Sequence, residues 1–401
     1  MMKIAILIQK LNFGGAERCA SNMSIDLEKQ FETHLIVFDG ANQMYPHGGV
    51  LHDLHSSPTS NKFKKIINIF YRIRRVKDIK KKEKFDCAIS LLTGANYVNV
   101  KSQTGEKTII SIRNNLSLSR LSFREVKMVQ ESCNAADCVV ALSESVRRDM
   151  IANFNVNENK IITIYNSVDA RRLHKLAMES SFQTGLTIDG DYVVTMGRLM
   201  HQKGQWHLIR AFSEVHKQYP NIKLVILGEG EDEFAEKIKE LAKRLHIEDY
   251  VVFAGYIKNP HFIIRKSKIF VFTSLYEGLG NVLLEALACG KAIISTDCIA
   301  GPREILAPST DICITEEGKL QSIEYAEYGV LIPPFDQEDD LETTQITEKE
   351  LILAEAICTL YRSPEIINKY EEQSQKRIMD FAPEKIAADW EHAIRNICGI
   401  K

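Results

Sequence analysis

No run of about 18 uncharged apolar residues occurs in the 401-residue chain, so a membrane-spanning helix is not expected. The apolar segment at residues 4–8 is too short for a secretory signal and reads as a first strand. Pairs at Cys-x-x-Cys spacing are missing, although there are nine cysteines. An odd count without such spacing suits a reducing compartment better than a disulfide framework. Cys289, Cys298 and Cys313 have no metal-ligand spacing and read as ordinary buried or loop cysteines. Net charge is almost absent, −2 overall, so there is no global positive field for nucleic acid and no such partner is expected. With 45% apolar and 26% charged residues, the chain reads as globular and, at this length, as two domains. The expected location is the cytoplasm, peripheral on the inner face of the cell membrane.

Short β-branched runs alternate with longer amphipathic stretches, which predicts an α/β protein built from strand–helix units on parallel sheets. Strands are expected at 4–8, 34–38, 87–90, 108–112, 138–141 and 161–164, with helices at 16–30, 122–135 and 144–153. The pattern restarts with strands at 192–195, 223–227, 251–253, 269–273 and 292–295 and helices at 206–218, 233–245, 282–289 and 347–361. Residues 170–190 are the expected linker. The domains are placed at 1–185 and 186–375, followed by a C-terminal segment at 376–401. Two doubly wound domains bind ligands at the C-terminal ends of their strands, so a cleft between them is the expected site.

Residues 62–84 stand apart. They hold eleven lysines and arginines against Asp78 and Glu83, a net +9, which leaves −11 on the other 378 residues. Phe63, Ile66, Ile67, Phe70, Ile73, Val76 and Ile79 recur every three or four positions. The result is a basic amphipathic helix suited to an anionic membrane or acceptor. A helix packed on its sheet with a solvated basic face is the alternative.

Gly14-Gly15 follows the first strand, where paired glycines let backbone amides approach an anion at a helix start. Gly197-Arg198 and Lys203-Gly204 lie between a strand and a helix. An arginine fork and a lysine ammonium there can offset the charge of a diphosphate. Gly228-Glu229-Gly230 ends another strand in a close turn. The segment Glu277-Gly278-Leu279-Gly280-Asn281-Val282-Leu283-Leu284-Glu285 joins a strand to a helix. It sets two carboxylates apart, one for a transferred group and one for a ribose diol; Glu285 paired within the core is the alternative.

This constellation resembles the retaining nucleotide-sugar glycosyltransferases of the GT-B fold, family 4. The resemblance runs through Asn166-Ser167-Val168-Asp169, Gly301-Pro302-Arg303-Glu304 and Tyr328-Gly329-Val330-Leu331 to Phe381-Ala382-Pro383 and Trp390, and so covers essentially the whole chain. It implies two Rossmann-like domains, with a helical segment at 376–401 crossing back onto the first. Arg198 and Lys203 would bind the donor diphosphate, helped by Gly14, Gly15, Gly197, Gly228 and the amides at Gly280, Asn281 and Val282. Glu285 would hold the ribose, and Glu277 the transferred sugar. No cofactor or metal is implied, because basic groups and helix amides take the leaving-group charge. Many members carry a histidine after the strand at 108–112; Arg113 takes that place here. Arginine stays protonated and cannot be a general base, so Arg113 is assigned to the acceptor, an ordinary outward-pointing surface residue being the alternative, with Asn114 a weaker candidate. The expected reaction moves a hexose or N-acetylhexosamine from a UDP-sugar to a surface glycan or its lipid-linked precursor. A nucleotide-sugar hydrolase or epimerase, or a non-catalytic scaffold subunit, is the alternative.

Overall fold

The β-branched runs form strands, and their alternation decides what each face packs against. Along β1 (Lys3–Ile8), Ile4, Ile6 and Ile8 enter one apolar core while Ala5 and Leu7 enter another on the opposite face. A strand buried on both faces belongs to a sheet covered by helices on both sides. The computed structural model describes residues 1–400 apart from 13, 120, 179–187, 313–319, 337–340 and 342. Its chain divides into two compact units, 1–167 with 383–401, and 168–382.

In the first unit β1 is followed by α1 (Gly15–Leu27), β2 (Glu32–Val37), β3 (Val50–Asp53) and α2 (Lys62–Glu83). Then come β4 (Cys87–Leu91), α3 (Thr93–Lys101), β5 (Lys107–Ile112), α4 (Phe123–Ala135), β6 (Cys138–Ala141), α5 (Glu144–Phe154) and β7 (Ile161–Thr163). The sheet is parallel, in the order β3-β2-β1-β4-β5-β6-β7. That is the doubly wound order, with its reversal between β1 and β4.

The second unit begins with α6 (Ala170–Ala177), β8 (Tyr192–Met196), α7 (Gln205–Gln218), β9 (Lys223–Leu227), α8 (Asp232–Arg244) and β10 (Val251–Gly255). It continues with α9 (His261–Lys266), β11 (Ile269–Phe272), α10 (Asn281–Ala288), β12 (Ile293–Thr296) and α11 (Pro302–Leu306). After these come β13 (Glu324–Tyr325), β14 (Val330–Ile332), α12 (Glu348–Tyr361) and α13 (Pro364–Arg377). Strand order is β10-β9-β8-β11-β12-β14-β13, parallel except for the last pair, and it reverses between β8 and β11. The α/β expectation therefore holds in both units. Finally α14 (Pro383–Cys398) returns to the first unit, where Trp390 and Ile394 join the core with Met23, Leu27 and Phe31.

The division falls at 168 and 383 rather than 186 and 376. The stretch expected as a linker begins with a helix, α6, whose Asp169 side chain caps it by accepting from the Arg172 amide; residues 179–187 of it lie outside the described residues.

The surroundings of helix α2 change along its length. Val76 is buried, with Ile73 and Ile79 against the core beside it, whereas Phe63, Ile66, Ile67 and Phe70 are 51–79% exposed. The exposed row runs on through Arg74, Lys77 and Lys81, at helical steps of three and four. Lys80 departs from the expected solvated basic face. It is buried, ion-paired with Glu106 at 2.6 Å, and donates to the carbonyl and side-chain oxygens of Asn99 at 2.9 and 2.7 Å. Arg72 is also turned inward, donating to Ser56 and lying over the Phe38 ring.

Burial alone raises the Glu106 carboxyl, but the Lys80 charge and hydrogen bonds from Lys80 and Thr104 hold it below the usual range. Its stabilising contribution is thus present above the unfolded-state value and lost as pH falls through the folded one. Glu106→Ala, which leaves a buried ammonium unpaired, is expected to cost about 3–5 kcal/mol in urea unfolding. A joint Lys80→Met/Glu106→Leu replacement is expected to recover most of that loss.

Candidate active site

Lys203 and Glu277 lie beyond the C-terminal ends of β8 and β11, the adjacent strands between which the order of the second sheet reverses. Crevices at such switch points are where open α/β sheets take ligands. The Lys203 ammonium donates to Glu277 Oε1 and sits 5.8 Å from the centre of the Phe272 ring. Three further hydrogen bonds stitch the two loops together. Thr273 Oγ1 donates to the Lys203 carbonyl at 3.0 Å, the Leu275 amide to the Gln202 carbonyl at 2.9 Å, and Gln202 Nε2 to the Tyr276 carbonyl at 2.8 Å. Gly204 has φ +59°, and a Cβ on it would lie 2.3 Å from the Thr273 carbonyl oxygen. Only glycine permits this close approach.

Arg198 follows β8 and is exposed; its carbonyl accepts from Gln205 Nε2 at 2.9 Å. Gly228 packs loop on loop, since a Cβ there would fall 2.2 Å from the Gly197 carbonyl oxygen. Gly280, at φ +85°, caps α10, so the amides of Asn281 and Val282 stand at that helix's start. Glu285 is buried one turn further on, with Oε2 3.0 Å from His261 Nε2. Cys289, on the next turn, has its thiol pushed up to about 12 by burial and by the Glu285 charge. Burial, reinforced by Glu277, likewise raises the Cys298 thiol and keeps it neutral.

The family model for Glycosyltransferase Family 4 matches residues 13–172, and that for Glycosyl transferases group 1 matches residues 178–328. The chain belongs to glycosyltransferase family 4. Its two units are the Rossmann-like domains of the GT-B fold. It is 35% identical over 260 residues to an uncharacterized glycosyltransferase of Methanocaldococcus jannaschii, covering 64% of this chain and 62% of that one, short of two thirds of the relative's length. It is 26% identical over 402 residues, 97% of this chain and 98% of the other, to a Campylobacter jejuni enzyme. That enzyme is the N-acetylgalactosamine-N,N'-diacetylbacillosaminyl-diphospho-undecaprenol 4-alpha-N-acetylgalactosaminyltransferase. The Anabaena HepE structure in complex with UDP and glucose superposes with a TM-score of 0.77 at 17% identity, over 99% of this chain and 100% of that one. Relatives of the glycosyltransferase thus transfer sugars in the synthesis of glycans or lipid-linked precursors.

The remaining assigned residues of the glycosyltransferase lie in its first unit. Arg113 is not a surface residue. It is 6% exposed, and its fork donates to Ser111 Oγ at 3.2 Å and to Asn166 Oδ1. Its Nε–H is buried without a hydrogen-bond partner among the described residues. Its charge also reaches Cys19 on α1, where it offsets part of the rise that burial imposes on the thiol. Gly14 precedes α1, and a Cβ there would fall 2.0 Å from Glu17 Oε2. Phe13, beside Gly14, lies outside the described residues, as does Cys313.

Two neighbouring side chains are tied into buried networks. Arg303, buried at the start of α11, pairs with Asp297 at 2.6 Å and Glu324 at 2.8 Å. His207 is tied to buried Glu350 at 2.7 Å and stacks on Phe335, which makes it part of the core. His261 and Asn259 were absent from the residues expected at the site. The sequence signal was a polar Asn-Pro-His just ahead of an apolar helical stretch, the pattern of a helix start whose histidine turns inward.

Proposed function

We propose that the glycosyltransferase moves a hexose or N-acetylhexosamine from a UDP-sugar to a lipid-linked glycan precursor, with retention of anomeric configuration. The observation that carries this reading is the Lys203–Glu277 ion pair at the switch point of the second sheet. When the donor enters, the ammonium turns to the diphosphate and the carboxylate is released to a sugar hydroxyl. Both charges keep a partner at every stage, so neither is left bare in a low-dielectric site. Arg198, on the same loop as Lys203, adds a second cation as negative charge develops on the departing phosphate. The start of α10 offers the Gly280, Asn281 and Val282 amides, and Glu285 accepts from the ribose diol. With charge handled in this way the reaction needs no metal. UDP is supported by the HepE complex with UDP and glucose. The lipid-linked acceptor is supported by the diphospho-undecaprenol substrate in the name of the Campylobacter jejuni relative.

In the first unit, Arg113 holds an acceptor oxygen through its buried Nε–H. Helix α2 places the enzyme on an anionic membrane at the cytoplasmic face, with Phe63, Ile66, Ile67 and Phe70 entering the headgroup region. The cationic continuation through Arg74, Lys77 and Lys81 meets lipid phosphates. Among the described residues no helix is long and apolar enough to cross a membrane, so attachment of this kind is what the α2 surface offers.

Incubation with UDP- and GDP-sugars and a membrane extract, read by mass spectrometry, is expected to show one sugar added to a lipid-extractable product. Turnover is expected to persist in EDTA, and NMR of the product to show the donor's anomeric configuration. Donor consumption without acceptor would favour hydrolysis or epimerisation. Nucleotide binding without turnover would favour a scaffold.

A further inference from the structure

We propose that His261 is the positioning residue of Glu285, fixing the direction in which that carboxylate meets the nucleotide's ribose. The inference rests on the ribose-binding reading of Glu285. His261 opens α9, is 6% exposed, and directs both ring nitrogens at neighbouring oxygens. Nε2 lies 3.0 Å from Glu285 Oε2, and Nδ1 lies 3.3 Å from Asn259 Oδ1. Asn259 in turn donates its Nδ2–H to the Leu176 carbonyl on α6 at 2.8 Å.

That last bond settles the orientations in the chain. With Nδ2 committed to Leu176, the amide oxygen of Asn259 faces the imidazole, so Nδ1 carries the hydrogen it donates. Nε2 then faces a carboxylate oxygen, and a proton lies between them. A charge-assisted bond of this kind is short and directional. It holds Oε2, and with Oε2 held, the torsions of the Glu285 side chain are set. Pro260 precedes the histidine, and the Cys289 thiol donates to the His261 carbonyl at 3.7 Å. The imidazole is therefore anchored from α6, through Asn259, while the C-terminal end of α10 holds the histidine's backbone. Binding groups reach their geometry when a supporting layer locks their rotamers, and α6–Asn259–His261 is that layer for Glu285.

The test is calorimetric titration with UDP and with 2′,3′-dideoxy-UDP, or with the guanosine pair where GDP binds more tightly. The ratio of the two dissociation constants reads the ribose contact alone. Wild type is expected to favour the ribose nucleotide roughly 10- to 100-fold, the weight of hydrogen bonds to a charged group. Glu285→Gln is expected to lower that ratio to a few-fold, and His261→Ala to lower it nearly as far while leaving affinity for the dideoxy nucleotide within about threefold. His261→Gln, whose amide N–H can reach the same oxygen, is expected to restore most of it. A merely structural histidine would move the melting temperature and both affinities together.

An unchanged ratio in Glu285→Gln would overturn the ribose assignment, and the His261 inference with it. A ratio that collapses in Glu285→Gln but survives in His261→Ala would overturn the His261 inference alone. If His261→Ala does not fold, His261→Gln is compared with His261→Asn, whose shorter side chain cannot reach Glu285; equal ratios in the two would again count against it.

Discussion

Lys203→Ala is expected to lower kcat for sugar transfer roughly 100- to 1,000-fold, the loss seen when one preorganised donor to developing charge is removed. Two effects combine. The leaving diphosphate loses the cation beside it, and Glu277 loses the partner to which it is bonded. The second effect makes the substitutions non-additive. Glu277→Gln alone is expected to cost a similar factor, but the double variant should be slower than either single one by less than the product of their losses. Single-turnover kinetics in a double-mutant cycle measure this coupling. Fully multiplicative losses would mean that the pair does not act as a unit. Lys203→Arg is not expected to rescue activity, because a planar fork cannot replace a compact ammonium that must exchange partners.

Vesicle binding is expected to collapse when the exposed row of α2 is altered. The Phe63→Ser/Phe70→Ser variant gives up two aromatic side chains that are 79% and 70% exposed. At about 1.5–3 kcal/mol for each such side chain fully buried, affinity for anionic vesicles should fall by at least about 100-fold. Neutralising Arg74, Lys77 and Lys81 should weaken binding by a comparable factor, at about 1 kcal/mol for each basic residue near the surface. The two variants differ in their response to salt. Wild-type binding weakens as salt rises; the residual binding of the neutralised variant should be less salt-sensitive than wild type, whereas that of the serine variant should be the more salt-sensitive. Flotation with neutral and anionic vesicles separates these outcomes. Equal recovery of all three proteins with the anionic vesicles would rule out α2 as the membrane contact. Phe123, 84% exposed at the start of α4, belongs to the same region, since the Lys65 charge lowers the neighbouring Glu125 carboxyl after its hydrogen bonds with Ser122. It is the next residue to replace.

Most of the two sheets was legible because buried parallel strands leave uninterrupted β-branched runs: 223–227 and 138–141 were placed to the residue. Helix α3 was not legible. Its buried face carries Asn96 and Asn99, which break an apolar period. Asn96 accepts from Ser90 and donates to the Ser111 carbonyl, while Asn99 donates to the Ala88 carbonyl. Strand β3 escaped because its four residues are exposed or half-exposed at the sheet's edge. The switch-point loops announced themselves through glycine and charge, but the bond between Lys203 and Glu277 spans 74 positions and has no local signature. Lys80 misled for the same reason, being one of eleven basic residues in 62–84, with an acceptor, Glu106, that lies beyond the helix.

The return of α14 to the first unit has a consequence for how the molecule is made. A ribosome delivers residues 1–167 first, yet Ile386, Trp390 and Ile394 complete the core that Met23, Leu27 and Phe31 begin. The earliest-synthesised half must therefore wait, with that hydrophobic wall open, until more than two hundred further residues have emerged. The later half can close on itself sooner, so the order of translation and the order of completion run in opposite directions.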